Sequence, residues 1–91
     1  MGQRIRHEPP RPGVGPTVRR LREARGLSLK TLSASAKMSK GSLSMMERDL
    51  YEPTFGTIFR VAAALKLLPT ELIREWQDDF QKHPDSWRYM G

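Results

Sequence analysis

The chain has 91 residues, no cysteine and a formal net charge of +6. That length suits one domain around a single modest core. The lack of cysteine excludes disulfide staples and thiolate–zinc sites, and no apolar run approaches the roughly 20 residues of a membrane span. The opening MGQRIRHEPP has no apolar h-region, so no signal peptide is read there. The expectation is a soluble, cytoplasmic protein. Residues 1–68 carry 13 Lys/Arg against 5 Asp/Glu, whereas residues 69–91 carry 3 against 5. A basic body with an acidic end suits a polyanionic partner.

Residues 1–15 hold three Pro, three Gly and three Arg, with Ile5 and Val14 as the sizeable aliphatics. No periodic apolar face is available, so a flexible basic arm is expected. Arg4, Arg6 and Arg11 could lie along phosphates or enter a minor groove; an inert tail is the competing reading. A first helix is predicted from Pro16, which suits an opening turn, to Arg25. Val18, Leu21 and Ala24 form its inner stripe, and Gly26 followed by Leu27 forms its C-cap. A second helix is capped by Ser28 and runs to Ala36, with Leu29, Leu32, Ser33 and Ala36 on its inner face. After a turn at Lys37 and Met38, Ser39 caps a third helix. The short connection forces the two helices to cross steeply. Pro53 disfavours helix at Glu52. Thr54 then caps a fourth helix lined by Ile58, Val61, Ala62 and Leu65, with Phe55 and Phe59 expected on the same side. Pro69 opens a fifth helix with Glu71 in its first turn and Leu72, Ile73 and Trp76 on its inner face. The pattern extends toward Phe80 and is stopped by Pro84.

The third helix, SKGSLSMMER over residues 39–48, carries the functional reading. Leu43 and Met46 at i and i+3 can pack on a core. The opposite side holds Lys40, Gly41, Ser44, Met45 and Arg48. Glycine within a helix costs about 1 kcal/mol relative to alanine, so this outer face is a poor choice for stability and a reasonable one for pressing into a DNA major groove. Lys40 could donate to guanine O6 and N7 or hold a phosphate. Ser44 discriminates weakly among bases, and Met45 offers only apolar contact, as to a thymine methyl. Arg19, Arg20, Lys30, Lys37 and Arg48 are candidate phosphate contacts.

From Val18 to Leu72 the sequence resembles the Cro/C1-type helix-turn-helix family, the lambda-repressor-like or XRE group. The pieces are LREARGLSLKTLS, MSKGSLSMMER, EPT and IFRVAAALKLLPTEL, in register over about 60% of the chain. The resemblance implies an all-α, compact five-helix domain whose second and third helices form the helix-turn-helix, the third entering the major groove. It implies a transcriptional regulator, most often a repressor, that binds a partly palindromic double-stranded operator as a homodimer and lies at the nucleoid when bound. By position, Lys40, Gly41, Ser44 and Met45 fall where the family reads bases. Ser28, Leu29, Ser39 and Arg48 fall where it touches phosphates. Arg22 and Glu47 fall where it pairs an arginine of the first helix with a glutamate of the third. Three residues depart from the family. Leu29 stands for a common glutamine, and Lys30 beside it can substitute. Lys37 and Asp49 stand for common glycines. A lysine held left-handed costs roughly 1 kcal/mol or more, so the turn is either strained or reshaped. Asp49 would place negative charge near the DNA backbone.

The expected organisation is an arm over 1–15, a DNA-binding domain over 16–76 and a C-terminal extension over 77–91. Phe80, Trp87 and Tyr89 are more aromatic surface than a short tail buries alone and suit a homodimer contact formed by the fifth helix and the C-terminal segment, with Trp76 or Trp87 as its anchor; folding back on their own domain is the competing reading. No acidic pair, histidine or glycine-rich loop is spaced as a metal, catalytic or phosphate site, so neither an enzyme nor a cofactor is expected. The rival function is an antitoxin or co-regulator acting mainly through a protein partner.

Overall fold

The computed structural model describes residues 13–82. Arg4, Arg6 and Arg11, and likewise Trp87 and Tyr89, lie outside the described residues. Five helices follow one another: α1 (Gly15–Ala24), α2 (Leu29–Ser35), α3 (Lys40–Glu47), α4 (Phe55–Ala64) and α5 (Pro69–Lys82). There is no strand among the described residues. The architecture is all-α.

Each helix boundary has a local chemical cause. The side-chain oxygens of Ser28, Ser39 and Thr54 accept hydrogen bonds from the backbone N–H groups of Thr31, Ser42 and Thr57, satisfying donors that the first turn leaves unpaired. Glu71 Oε1 accepts from the Leu68 N–H at 2.7 Å and does the same for α5. The first four helices end alike. The N–H groups of Leu27, Met38, Leu50 and Leu67 reach back to the carbonyls of Arg22, Ser33, Met45 and Ala62, which is the Schellman arrangement. It requires a left-handed residue, here Gly26, Lys37, Asp49 and Lys66. The turn expected to be strained or reshaped is therefore strained: Lys37 keeps the left-handed shape at φ 57°.

The helices bury one core. Val18 and Leu21 of α1, Leu32 of α2, Leu43 and Met46 of α3, Val61 of α4 and Leu72 of α5 meet in it. Three expectations are corrected. Ala24 is exposed; Thr17 and Val14 complete the inner stripe of α1 instead. Phe55 and Phe59 do not join the core and are 80% and 56% exposed. Phe59 lies about 100° around the helix from Ile58, and Phe55 sits on the first turn beyond the end of the core. Residues 13–15, expected as the end of an arm, are docked: Val14 and Gly15 are buried. The fifth helix also runs unbroken through residues 77–82.

Candidate nucleic-acid interface

Helix α3 is held from below. Leu43 and Met46 are buried, and so is Glu47. Arg22 of α1 meets that carboxylate in a two-pronged pair, Nε to Oε2 at 2.8 Å and Nη2 to Oε1 at 3.0 Å. The third arm of the guanidinium donates to the Leu27 carbonyl at 2.8 Å. The hydrogen bonds to Glu47 raise the Arg22 pKa above its ordinary value against the opposing effect of burial, so the pair is ionic. Arg22 and Glu47 are thus joined in the manner that the family resemblance implied.

The outer side of α3 follows from 100° per residue. Residues 40, 41, 44, 45 and 48 fall within an arc of about 140°. Lys40, Gly41, Met45 and Arg48 are exposed and Ser44 is half-buried. The side of the helix that carries Met45 faces solvent, with 43% of the residue exposed. A Cβ on Gly41 would meet nothing within 4 Å. The fold therefore places no steric demand for glycine there.

Much of the basic excess is already engaged inside the protein. Arg20 donates from Nη2 to Glu75 at 2.8 Å and from Nε to Asp79 at 3.1 Å, and the bond to Glu75 leads in raising its pKa. Arg20, a candidate phosphate contact by sequence, is thus a tie between α1 and α5. Arg25 donates to the carbonyls of Leu21 and Leu65. Arg60 donates to the Ala36 carbonyl at 3.0 Å and secures the end of α2 just before the turn. Arg19 pairs with Glu23 on the exposed surface at 3.2 Å; such a pair contributes little. Lys30, Lys37, Lys40 and Arg48 form no ion pair with any described residue. All four are exposed and belong to α2, the turn, α3 and the C-cap of α3. Lys66, Arg74 and Lys82 also lack such pairs but lie beyond α3, on other elements.

The serine hydroxyls have a second partner each. Ser28 Oγ bonds Thr31 Oγ1 at 3.0 Å and Ser39 Oγ bonds Ser42 Oγ at 2.8 Å. These side chains are committed to capping. Asp49 also has partners within the fold. Its carboxylate does not stand free beside the face; it accepts from the N–H groups of Gly13 at 3.2 Å and Gly15 at 3.3 Å, capping α1 from the far side of the chain. The two glycines make the approach feasible, since a Cβ on Gly13 would strike that carboxylate and one on Gly15 would strike the Met46 carbonyl. Asp49, Gly13, Gly15 and Arg60 were not singled out for these roles by sequence reasoning; their partners lie 24 to 36 residues away. The Gly-Val-Gly spacing was the one local signal.

Residues 18–72 match the pattern of a family described as Helix-turn-helix. The chain belongs to the XRE-type helix-turn-helix family. Its members are DNA-binding transcription regulators. Solved helix-turn-helix structures agree with this placement. The restriction-modification controller protein C.AhdI from Aeromonas hydrophila is 32% identical, with a TM-score of 0.63 over 65% of this chain and 89% of that one. The clp gene regulator ClgR from C. glutamicum is 27% identical, with a TM-score of 0.71 over 79% and 95%. SinR, a master regulator for biofilm formation solved in complex with DNA, is 30% identical, with a TM-score of 0.61 over 66% and 97%. No curated protein matches the sequence. Among the described residues of this helix-turn-helix protein, no helix is long and apolar enough to cross a membrane.

Proposed function

We propose that the protein is a sequence-specific regulator of double-stranded DNA that represses transcription by occupying a partly palindromic operator as a homodimer. The observation that carries this reading is the gathering of Lys30, Lys37, Lys40 and Arg48, all without an ion pair to the described residues, on α2, the turn and α3. Helix α3 enters the major groove. Lys40 donates to a guanine edge or an adjacent phosphate, Gly41 lets the backbone approach the bases, and Ser44 and Met45 add weak polar and apolar contacts. Lys30, Lys37 and Arg48 grip phosphates, joined by the backbone N–H groups at the starts of α2 and α3, which Ser28 and Ser39 cap. Arg19 adds long-range attraction. Trp76, half-buried and set edge-on to Phe80 with ring centroids 6.4 Å apart, anchors the contact between protomers together with Trp87 and Tyr89. The DNA complex of SinR supports the choice of partner.

Selection from a random double-stranded library tests this directly. The expected result is one enriched motif of two related half-sites. A pool that stays unenriched while still binding would remove operator reading and leave only charge attraction.

A further inference from the structure

Helix α1 packs against both α3 and α5. It is joined to α3 near each of its ends. At its start, the Asp49 carboxylate accepts from the Gly13 and Gly15 N–H groups. Near its end, Arg22 makes the two-pronged pair with Glu47. Two ties at separate points leave the helices little room to rotate about one another, so α1 and α3 move as one unit.

Helix α5 is held to that unit in another way. Leu72 is buried, and Ile73 and Trp76 are partly covered by the core. Further along the helix the tie is polar. Thr17, 1% exposed, donates from Oγ1 to Asp79 Oδ2 at 2.8 Å. Arg20 donates from Nε to the same oxygen at 3.1 Å and from Nη2 to Glu75 at 2.8 Å. Valine would fill the Thr17 site with no buried hydroxyl to satisfy, so the hydroxyl's use is its reach to α5. Exposed charge pairs add little stability. A forked arginine on two carboxylates, however, fixes direction as well as distance. Asp79 lies about 10 Å along the helix from Leu72 and stops α5 from swinging about that residue.

We propose that Arg20 and Thr17 are positioning residues for operator recognition: their grip on Glu75 and Asp79 fixes the angle between α5 and the α1–α3 unit, and with it the half-site spacing that the homodimer accepts. This inference rests on the homodimer reading above, in which α5 carries the protomer contact. Half-sites one helical turn apart place the two α3 helices about 34 Å from one another, so each is about 17 Å from the dyad. A swing of about 10° between α5 and the α1–α3 unit moves each reading helix by about 3 Å, close to one base-pair step. The clamp thereby sets specificity without touching DNA.

The test uses the full-length protein and DNA carrying the two half-sites of the selected motif, with the spacer shortened or lengthened one base pair at a time. Wild type is expected to prefer one spacing. Arg20→Ala and Asp79→Ala should each spread binding over the neighbouring spacings and weaken the preferred one by about tenfold, comparable to one mismatched base pair. The two variants shift net charge in opposite directions, so an effect common to both comes from the clamp and not from attraction to phosphates. A lower folded fraction would weaken every spacing alike and leave the profile unchanged. A wild-type protein indifferent to spacing, or an unchanged profile in either variant, overturns the clamp while leaving DNA binding in place. A wild-type selection with no two-part motif strikes the operator reading itself, and this inference with it.

Discussion

Arg22 and Glu47 form a buried ion pair between α1 and α3, with side chains only 11% and 4% exposed. Removing one member of such a pair leaves an uncompensated charge inside the protein, which costs about 3–5 kcal/mol. Arg22→Ala should therefore lower the free energy of unfolding in urea by about that amount. The double variant Arg22→Met/Glu47→Leu should recover most of it, because neither charge is then buried alone. A loss below about 0.5 kcal/mol in the single variant would mean that the pair behaves as a solvated one.

Left-handed lysines give a second prediction. Lys37 and Lys66 hold φ values of 57° and 63°, where a side chain costs about 1–2 kcal/mol relative to glycine. Lys37→Gly and Lys66→Gly should each raise the urea midpoint, with the gain reduced by the greater freedom of glycine in the unfolded chain. The two should part company in DNA binding. Lys37→Gly also removes a charge from the proposed interface and should lower affinity at moderate salt, whereas Lys66→Gly should not.

Gly41 separates stability from function. With nothing within 4 Å of a Cβ there, Gly41→Ala should stabilise the isolated protein by up to about 1 kcal/mol through helix propensity. If the backbone of α3 lies close to the bases, the same methyl should weaken operator binding. A thermal melt and a titration on one preparation read both effects. Unchanged affinity would remove close approach as the reason for this glycine.

The Asp49 cap predicts opposite requirements at its two ends. Gly15→Ala forces a methyl against the Met46 carbonyl and should cost about 1–3 kcal/mol, as overpacking does. Asp49→Ala leaves the Gly13 and Gly15 N–H groups to water and should cost about 0.5–2 kcal/mol, as loss of a helix cap does. Both are measured by urea unfolding. Equal stability of Gly15→Ala and wild type would show that α1 can back away from α3 freely.

Salt dependence tests how the charge is used. A dimer that neutralises about 8 phosphates should show log K falling with log salt at a slope near −7. Lys40→Ala should lower affinity and relax preference at one base pair, while Arg19→Ala should lower affinity on all sequences alike. The same loss of preference from both variants would erase the distinction between reading and positioning.

Helix α3 and the loop after it mark how far the candidate site could be read in advance. The burial of Leu43 and Met46 and the exposure of Lys40, Gly41 and Met45 follow from helical spacing. The Arg22–Glu47 pair was legible through family resemblance, although 25 residues separate its members. The fates of Arg20 and Asp49 were not legible. Both look like surface charges, and both are claimed by partners 34 to 59 residues away.

By itself the sequence determined the five helices, their serine and threonine caps and most of the residues that each buries, because capping and amphipathic spacing act over three or four residues. Tertiary structure decided the rest. It left Phe55 beyond the end of the core and Phe59 to one side of it. It set Asp49 against the start of α1. It assigned Arg20, Arg25 and Arg60 to carboxylates and carbonyls of other elements. A charge count treats all cations alike; packing separates those with a partner inside the fold from those left facing solvent. The exposed cations of α2, the turn and α3 are in the second group.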